Sequence, residues 1–209
     1  VMSVIGLTIA MSFAVAMVLG PLISQYYGMA GIFWFTALLA LLGIALIIGV
    51  VPTPDQIMPH RDAGVIKGYL GTVLSNPTLL RLDAGVFTLH MIMTANFLVL
   101  PSLFETHLHI PRTEHWHIYL PVFLFAFLSA IPLIVIAEKY QKMRPLLILA
   151  VALLAVAQLL MGLGMDDSIP LLTGFVVFFI GFNFLEATQP SLVAKYANVS
   201  LKGTAMGLF

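Results

Sequence analysis

The sequence predicts an all-α membrane protein, because six apolar runs, each long enough to cross a bilayer, follow one another within 209 residues. Hydrophobic residues make up 61% of the chain and charged residues 9%, whereas soluble domains carry about 25% charged residues. A run of about 20 residues, at about 1.5 Å per helical residue, matches the ~30 Å hydrocarbon core of a bilayer. The runs lack the alternation of barrel strands, and helices satisfy their own backbone hydrogen bonds in lipid, so we expect a helical bundle.

The boundaries of the spans follow from the ends of the apolar runs. We predict spans at residues 4–26, 32–51, 82–104, 118–137, 145–164 and 169–194, with a seventh starting near Thr204. The first run has no basic segment before it and is too long for a signal peptide, so it is predicted to be a permanent span. Because the chain starts at Val1 almost directly in a span and stops at Phe209 inside another, we expect a fragment of a longer protein.

The basic residues are distributed unevenly among the loops. Eight of the nine lysines and arginines fall on one side of the predicted bundle. They are Arg61, Lys67, Arg81, Lys139, Lys142, Arg144, Lys195 and Lys202. Arg112 falls on the opposite side, so the positive-inside rule places the other eight in the cytoplasm.

One long connection, residues 52–81, separates the second span from the third. It starts with the turn-forming residues Pro52, Pro54, Asp55 and Pro59. Further along, apolar residues fall on one side of a short helical period, namely Val65, Tyr69, Leu70, Val73 and Leu74. This pattern predicts a surface helix along the inner leaflet, and an ordinary solvated linker with a turn of helix is the alternative.

Small residues recur every four positions along the first span, at Ser12, Ala16, Gly20 and Ser24. Such a face lets another helix approach closely. Pro21 follows directly, and since proline removes an amide donor we expect a bend there, in the outer half of the membrane. The face indicates either tight helix packing alone or a gate or interface between domains.

A single carboxylate, Glu186, lies deep within a span. It shares one side of the sixth span with Asn183 and Pro190, with Gln189 further round. Burial disfavours the charged form of a carboxyl group, so we predict that Glu186 binds a proton and exchanges it when water or a cationic substrate arrives. The alternative is a permanently neutral acid that is hydrogen-bonded to a neighbouring helix.

On the third span, His90, Thr94, Phe97 and Pro101 form one stripe. This stripe predicts a cavity wall with a titratable imidazole, although a histidine in a helix is often only a hydrogen-bonded packing residue. Asn96 faces elsewhere and is predicted to bond to a neighbouring helix.

Four histidines surround Arg112 in the predicted outward loop: His107, His109, His115 and His117. Imidazoles bind zinc and copper, but only Glu105 and Glu114 accompany them, so a solvated loop is the favoured interpretation and no metal site is expected. Asp166 and Asp167, in the next outward loop, are expected to be solvated or to cap the following helix.

Several functional classes find no support in the chain. It has no cysteine, so disulfides and thiolate metal sites are excluded. Net charge is zero, which gives no sign of a nucleic-acid partner. A Gly-rich phosphate loop, a nucleophile elbow and an HExxH motif are all missing, so we expect neither an enzyme nor a cofactor.

Three segments carry a resemblance to a known family. Gly20-Pro21, with its small residues, resembles the motif on the fifth helix of the drug:proton antiporters of the major facilitator superfamily. Residues 137–144, which include Glu138, Lys139, Lys142 and Arg144, resemble the acidic and basic loop between helices eight and nine of that family. Residues 202–207 resemble the start of its helix eleven, and together with Glu114-His115-Trp116 the chain is similar to the bacterial YajR-type group.

The resemblance implies a fragment of a twelve-helix bundle, about helices 5 to 10 plus the start of 11. Residues 1–51 would then be the last two helices of the N-terminal half, 52–81 the central cytoplasmic loop, and 82–209 the C-terminal half. It also implies a multi-pass secondary transporter of the bacterial inner membrane, with a small-molecule substrate, protons and the lipid bilayer as partners. Proton-coupled export of small amphipathic compounds is expected, with proton-linked uptake of a metabolite as the alternative. A membrane scaffold or receptor is a third hypothesis, which leaves Glu186 without a purpose.

Overall fold

The protein is represented by a computed structural model that describes residues 2–52, 67–165 and 167–209. In this part the chain forms seven α-helices, with short 3-10 helices at residues 67–69, 112–114 and 199–201 and no strand. The helices are α1 (Met2–Val50), α2 (Leu70–Leu74), α3 (Pro77–Thr106), α4 (Trp116–Lys139), α5 (Met143–Leu163), α6 (Ser168–Tyr196) and α7 (Lys202–Leu208). Five of them, α1, α3, α4, α5 and α6, are long and apolar enough to cross a membrane. The predicted helical membrane fold is therefore confirmed.

The first two predicted spans form one helix, α1, with a kink between them. Gly28 has φ 65° and ψ −171°, a conformation outside the helical region that glycine adopts without steric cost. A Cβ placed on Gly31 would lie 3.1 Å from Cγ2 of Ile23, although residues eight apart in a straight helix are about 12 Å apart along its axis. The chain therefore bends sharply between the two runs. The non-helical residue of α1 is Gly28 rather than Pro21, which keeps helical backbone angles.

The second arm of α1, residues 29–50, exposes large apolar side chains along its length. Phe33 is 71% exposed, Trp34 77% and Ile48 79%. In a protein with apolar helices of this length, such a surface is typical of contact with lipid or with other helices.

Polar side chains cap two of the helices. Oδ1 of Asn76 accepts hydrogen bonds from the amides of Thr78 and Leu79, at 3.0 and 3.4 Å, so α3 begins at Pro77, five residues before the predicted span. Oδ1 of Asp167 accepts a hydrogen bond of 3.0 Å from the amide of Ile169 and caps α6. The cap predicted at Asp167 is confirmed, while Asp166 lies outside the described residues.

Helices α5 and α6 pack along a seam of small residues. A Cβ on Gly174 would lie 2.8 Å from the carbonyl oxygen of Ala157, and a Cβ on Gly181 would lie 3.0 Å from that of Ala150. The two glycines and the two alanines are each seven residues apart, so they meet in antiparallel register along the seam. The backbones approach closely because Gly174 and Gly181 have no side chain between α6 and the carbonyl oxygens of α5.

Aromatic side chains fill the core between α3, α4 and α6. Phe123 and Phe179 have ring centroids 4.5 Å apart at 69°, and Phe175 lies 5.1 Å from Phe179 at 87°. Phe104 and Tyr119 continue this cluster and are buried. Edge-to-face contacts of this kind add to the stabilisation from burial.

A smaller apolar cluster holds α2 against the ends of the long helices. Val73, in α2, is 1% exposed and packs with residues of α3, α6 and α7. Its buried neighbours in the cluster are Leu79, Val193, Ala197, Leu201 and Ala205. In the described part of the central connection, the predicted helix is the short α2, which packs on the bundle through Val73. Its position along the inner leaflet stays a prediction. Val65 lies outside the described residues.

Candidate functional site

A cavity of about 380 Å³ lies between α1, α3, α4 and α6. Its walls are formed by Ile9, Met11, Phe13, Val15, Val18 and Leu19 of α1, His90 and Met93 of α3, Leu120, Phe123, Leu124 and Phe127 of α4, and Phe179, Phe182, Asn183 and Glu186 of α6. Three of these lining residues are polar: His90, Asn183 and Glu186. The volume falls within the ~300–1,000 Å³ of small-molecule sites, and a mainly apolar wall with a few polar groups is their usual composition.

His90 and Glu186 face each other at this cavity. Nε2 of His90 lies 3.6 Å from Oε2 of Glu186, and the two side chains are 43% and 21% exposed. Oε2 itself has no contact with solvent and no hydrogen-bond partner within the described part of the chain. At 3.6 Å the atoms are slightly too far apart for a direct hydrogen bond, but close enough for a small shift to form one. The structure thus brings together two titratable groups that the sequence placed on separate spans.

The hydrogen bonding of the imidazole determines what it offers to Glu186. Nδ1 of His90 lies 3.0 Å from the carbonyl oxygen of Val86, which can only accept, so we assign the hydrogen to Nδ1. In the neutral ring Nε2 is then a free acceptor facing Glu186. An edge-on contact with Phe182, 5.8 Å between centroids at 69°, also holds the ring. The pair can therefore share one proton, either on the carboxyl group or on Nε2.

The other two residues predicted for this site, Asn183 and Thr94, lie in different surroundings. Asn183 lines the cavity. Thr94 is exposed and lies outside the cavity lining, and Met93 takes its place. At about 100° per residue, Met93 is rotated about 60° to one side of His90 and Thr94 about 40° to the other, and the cavity is on the Met93 side. Asn96 is buried, 8% exposed, but its Nδ2 has no hydrogen-bond partner among the described residues, in contrast to the predicted bond.

The small-residue face of α1 is not packed against the described helices. Ser12 and Ala16 are exposed, and the hydroxyl of Ser12 donates to the carbonyl of Ile9, at 2.8 Å. A Cβ on Gly20 would meet nothing within 4 Å, and Pro21 and Ser24 are only half-buried. No described side chain, including those of α4, therefore packs closely on Gly20, and the role of this face as an interface or gate stays a prediction.

The charged turn after α4 includes an ion pair to α6. Nζ of Lys195 donates to both carboxylate oxygens of Glu138, at 2.9 and 3.0 Å. Lys139 lies with its Nζ 5.7 Å from the ring of Tyr140. Lys142 and Arg144 are exposed at the start of α5. Of the four residues predicted for this turn, Glu138 is therefore the one whose side chain links two helices in the described part of the chain.

His115 corrects the interpretation of the outer loop as wholly solvated. Its side chain is 3% exposed, its Nε2 lies 3.0 Å from the carbonyl of Ile110, and its ring packs at 90° on Phe104. The polar sequence of the loop does not indicate that His115 is buried, because this burial arises from contact with Phe104 of α3. His107, His109 and His117 are exposed, and Arg112 donates to Glu105 at 2.7 Å.

The aromatic wall of the cavity was missed from the sequence. Phe179 and Phe182 line the cavity and lie three residues apart in α6, and with the core residue Phe175 they recur at helical spacing on the side that leads to Glu186. This spacing was a usable signal, but a phenylalanine stripe usually indicates core packing, so the periodicity alone does not distinguish a cavity wall from a core.

The arrangement combines an apolar chamber with two titratable side chains in its wall. An amphipathic molecule can place its apolar part against the phenylalanines and its polar or cationic end beside Glu186. A change in protonation of the pair alters the charge that such a molecule meets.

Comparison with known proteins shows the family of the chain. The family model described as Major Facilitator Superfamily matches residues 1–209. The chain is 38% identical over 208 residues to the inner membrane transport protein YajR of Escherichia coli (strain K12), covering 100% of this chain and 46% of the relative. It is also 26% identical over 207 residues to an uncharacterized transporter of Buchnera aphidicola subsp. Acyrthosiphon pisum, covering 98% of this chain and 53% of that protein. The chain thus spans about half the length of these relatives, and the resemblance found in its motifs is confirmed. It is a multi-pass membrane protein that belongs to the major facilitator superfamily.

Proposed function

We propose that this chain is part of a proton-coupled secondary transporter that exports small amphipathic compounds across a bacterial inner membrane by alternating access. The observation that carries the proposal is the pairing of His90 with Glu186 at 3.6 Å, at the edge of an otherwise apolar cavity. An ionisable group within a transmembrane bundle is costly, so its presence favours a role in ion or substrate movement.

The chemistry of the cavity supports an amphipathic substrate. Phe13, Phe123 and Phe179 offer aromatic surface, while Glu186 and Asn183 offer a hydrogen-bonding end. A sugar or another highly polar metabolite would leave most of its hydroxyl groups facing hydrocarbon, at a cost of about 1–3 kcal/mol for each unpaired group.

Substrate movement is coupled to proton movement because the substrate and the proton compete for the carboxyl group of Glu186. A proton held by His90 and Glu186 neutralises the pair, and its release leaves a carboxylate that attracts a positively charged or hydrogen-bond-donating substrate. If the empty deprotonated pair is the costly state, each half-cycle carries either a proton or a substrate. Exchange of one for the other across two alternating conformations is antiport.

The proposal extends to the organisation of the chain. Residues 1–51 would form the last two helices of the N-terminal half, 52–81 the central cytoplasmic connection, and 82–209 the larger part of the C-terminal half. The ion pair of Glu138 with Lys195 would then tie α4 to α6 on the cytoplasmic side. As a surface contact it contributes about 0–1 kcal/mol, enough to bias a conformational equilibrium but not to lock it.

Direction and coupling can be tested in proteoliposomes that contain the full-length protein. Ethidium, an aromatic cation, serves as the amphipathic probe, glucose as the polar one, and a trapped pH dye reports proton movement. Antiport predicts that ethidium moving in one direction drives protons in the other, with no response to glucose. Protons moving in the same direction as the probe would favour the uptake alternative, and ethidium flux without proton movement would contradict coupling.

Replacing Gly20 with leucine tests the small-residue face of α1. The space around this glycine is open among the described residues, so we expect Gly20→Leu to insert into the membrane normally. If the face packs against the other half of the transporter, the larger side chain separates the two halves, and transport should be lost or leaky. Flux in proteoliposomes and membrane yield measure the two effects.

Gly43→Leu is the matched control, because it changes another glycine of α1 that also has nothing within 4 Å. Wild-type flux by both variants would show that the Gly20 face meets lipid or an open space. Equal loss in both would indicate that α1 tolerates no added bulk, whatever the face.

A further inference from the structure

Gln189 lies about one helical turn from Glu186 on α6 and has no role in the exchange described above. It is 6% exposed and three residues beyond Glu186 on α6. Its Nε2 would lie 3.0 Å from a Cβ on Gly85 of α3. The amide therefore fills the space that the missing side chain of Gly85 leaves between α3 and α6.

The oxygen of this amide has no donor. Oε1 of Gln189 is fully buried and makes no hydrogen bond within the described part of the chain, and the same is true of Oε2 of Glu186. Leaving one such atom unpaired costs about 1–3 kcal/mol, so native structures rarely do so without a reason. Both atoms are acceptors when Glu186 is ionised, and neither can satisfy the other.

One proton resolves this mismatch. Side chains three residues apart on a helix start from Cβ atoms about 5–6 Å apart, which lets a carboxyl and an amide meet. A protonated Glu186 gains an O–H that can donate either to Nε2 of His90 or to Oε1 of Gln189. We propose that Gln189 is a positioning residue of the proton site, which accepts the hydrogen of protonated Glu186 when the carboxyl group turns away from His90.

This inference rests on the proposed function and deepens it. On release, the O–H bond of Glu186 breaks, its electron pair stays on the carboxylate, and the proton passes to water in the cavity. Uptake reverses the step from water on the other side of the membrane. Gln189 exchanges no proton, because an amide oxygen accepts hydrogen bonds without titrating at neutral pH.

Few charged or polar side chains of the described residues lie near Glu186 and could accept its hydrogen. The described cavity residues of α1 and α4 are all apolar, α6 itself adds Asn183, and α3 supplies His90. The next acid on the His90 side of α3 is Asp83, two helical turns and about 10 Å away. His90, Asn183 and Gln189 therefore supply side-chain acceptors near Glu186, and of these Gln189 is the one with a buried oxygen that lacks a donor within the described part of the chain.

Infrared titration of the purified full-length protein in lipid tests the proposal without a substrate. The carboxyl band of Glu186 is identified as the titrating band that Glu186→Gln removes. Gln189→Met keeps the side-chain length but removes the acceptor. Losing one buried hydrogen bond to the protonated form should lower the midpoint of this band by about one pH unit, a tenfold change in proton binding. The band should also change frequency at low pH.

Gln158→Met is the matched control, because Gln158 lies on α5 outside the cavity lining and its Nε2 is likewise buried without a partner. It should leave the midpoint unchanged. Gly85→Ala, which only presses on Nε2 of Gln189, should shift the midpoint in the same direction by less, and it provides a second test if Gln189→Met folds poorly.

The outcomes separate the two proposals. A Glu186 band that Gln189→Met and Gly85→Ala leave unmoved would overturn the role of Gln189 alone. If Glu186→Gln removed no titrating band, the proton site itself would be wrong and the role of Gln189 with it. Equal shifts in Gln189→Met and Gln158→Met would show a general packing effect and also overturn the proposal.

Discussion

Glu186→Gln is expected to leave the full-length protein folded and inserted but to abolish the pH dependence of transport. Glutamine keeps the volume and the hydrogen-bonding atoms of the side chain while removing its titration, so it separates proton coupling from packing. Without a titrating carboxyl group, His90 at 3.6 Å has no partner with which to share a proton. Flux driven by a pH gradient should fall to the rate measured without one.

The measurement compares ethidium flux between about pH 5 and 8. Glu138→Gln is the control, since it makes the same change in an acid that pairs with Lys195 outside the cavity. It should retain the wild-type pH profile. A Glu186→Gln protein with wild-type rate and pH profile would make this residue a structural hydrogen-bonding group, and the proton site would have to lie elsewhere.

The sequence was sufficient to find Glu186 but not to find its surroundings. A charge inside an apolar run is conspicuous because it is costly there, and helical periodicity brought Asn183 to the same side. Periodicity within one helix does not say which neighbour it packs against. The approach of α3 to α6, which pairs His90 with Glu186 and selects Met93 over Thr94, depends on the packing of helices about 100 residues apart.

The helices themselves were predictable to within a few residues where caps or turns end them. For example, the span predicted at 145–164 corresponds to α5, Met143–Leu163. The break between the first two predicted spans lies at Gly28, whose backbone angles fall outside the helical region, so each span forms one arm of α1. His115 is buried although its loop is polar, because contacts with Phe104 outweigh local composition.

Gly174→Leu is expected to cause a large loss of stability while leaving the cavity residues unchanged. A Cβ at Gly174 would lie 2.8 Å from the carbonyl oxygen of Ala157 and 3.0 Å from the backbone nitrogen of Met161. Backbone atoms cannot rotate away as a flexible side chain can, so α5 and α6 must separate. Overpacking of this kind costs about 1–3 kcal/mol and sometimes more. Thermal unfolding of the purified protein in detergent should show a clearly lower midpoint.

The loss of stability should depend on whether the added side chain lies in the seam between α5 and α6, and not on the number of added atoms. Gly162→Leu adds the same side chain to α5 at a position where a Cβ meets nothing within 4 Å, and it should melt near the wild-type temperature. Gly181→Leu, where a Cβ would lie 3.0 Å from the carbonyl oxygen of Ala150, should resemble Gly174→Leu. Because membrane helices gain little from the hydrophobic effect on association, close backbone packing supplies much of what holds α5 to α6. Wild-type melting of Gly174→Leu would therefore mean that the two backbones do not meet along this seam.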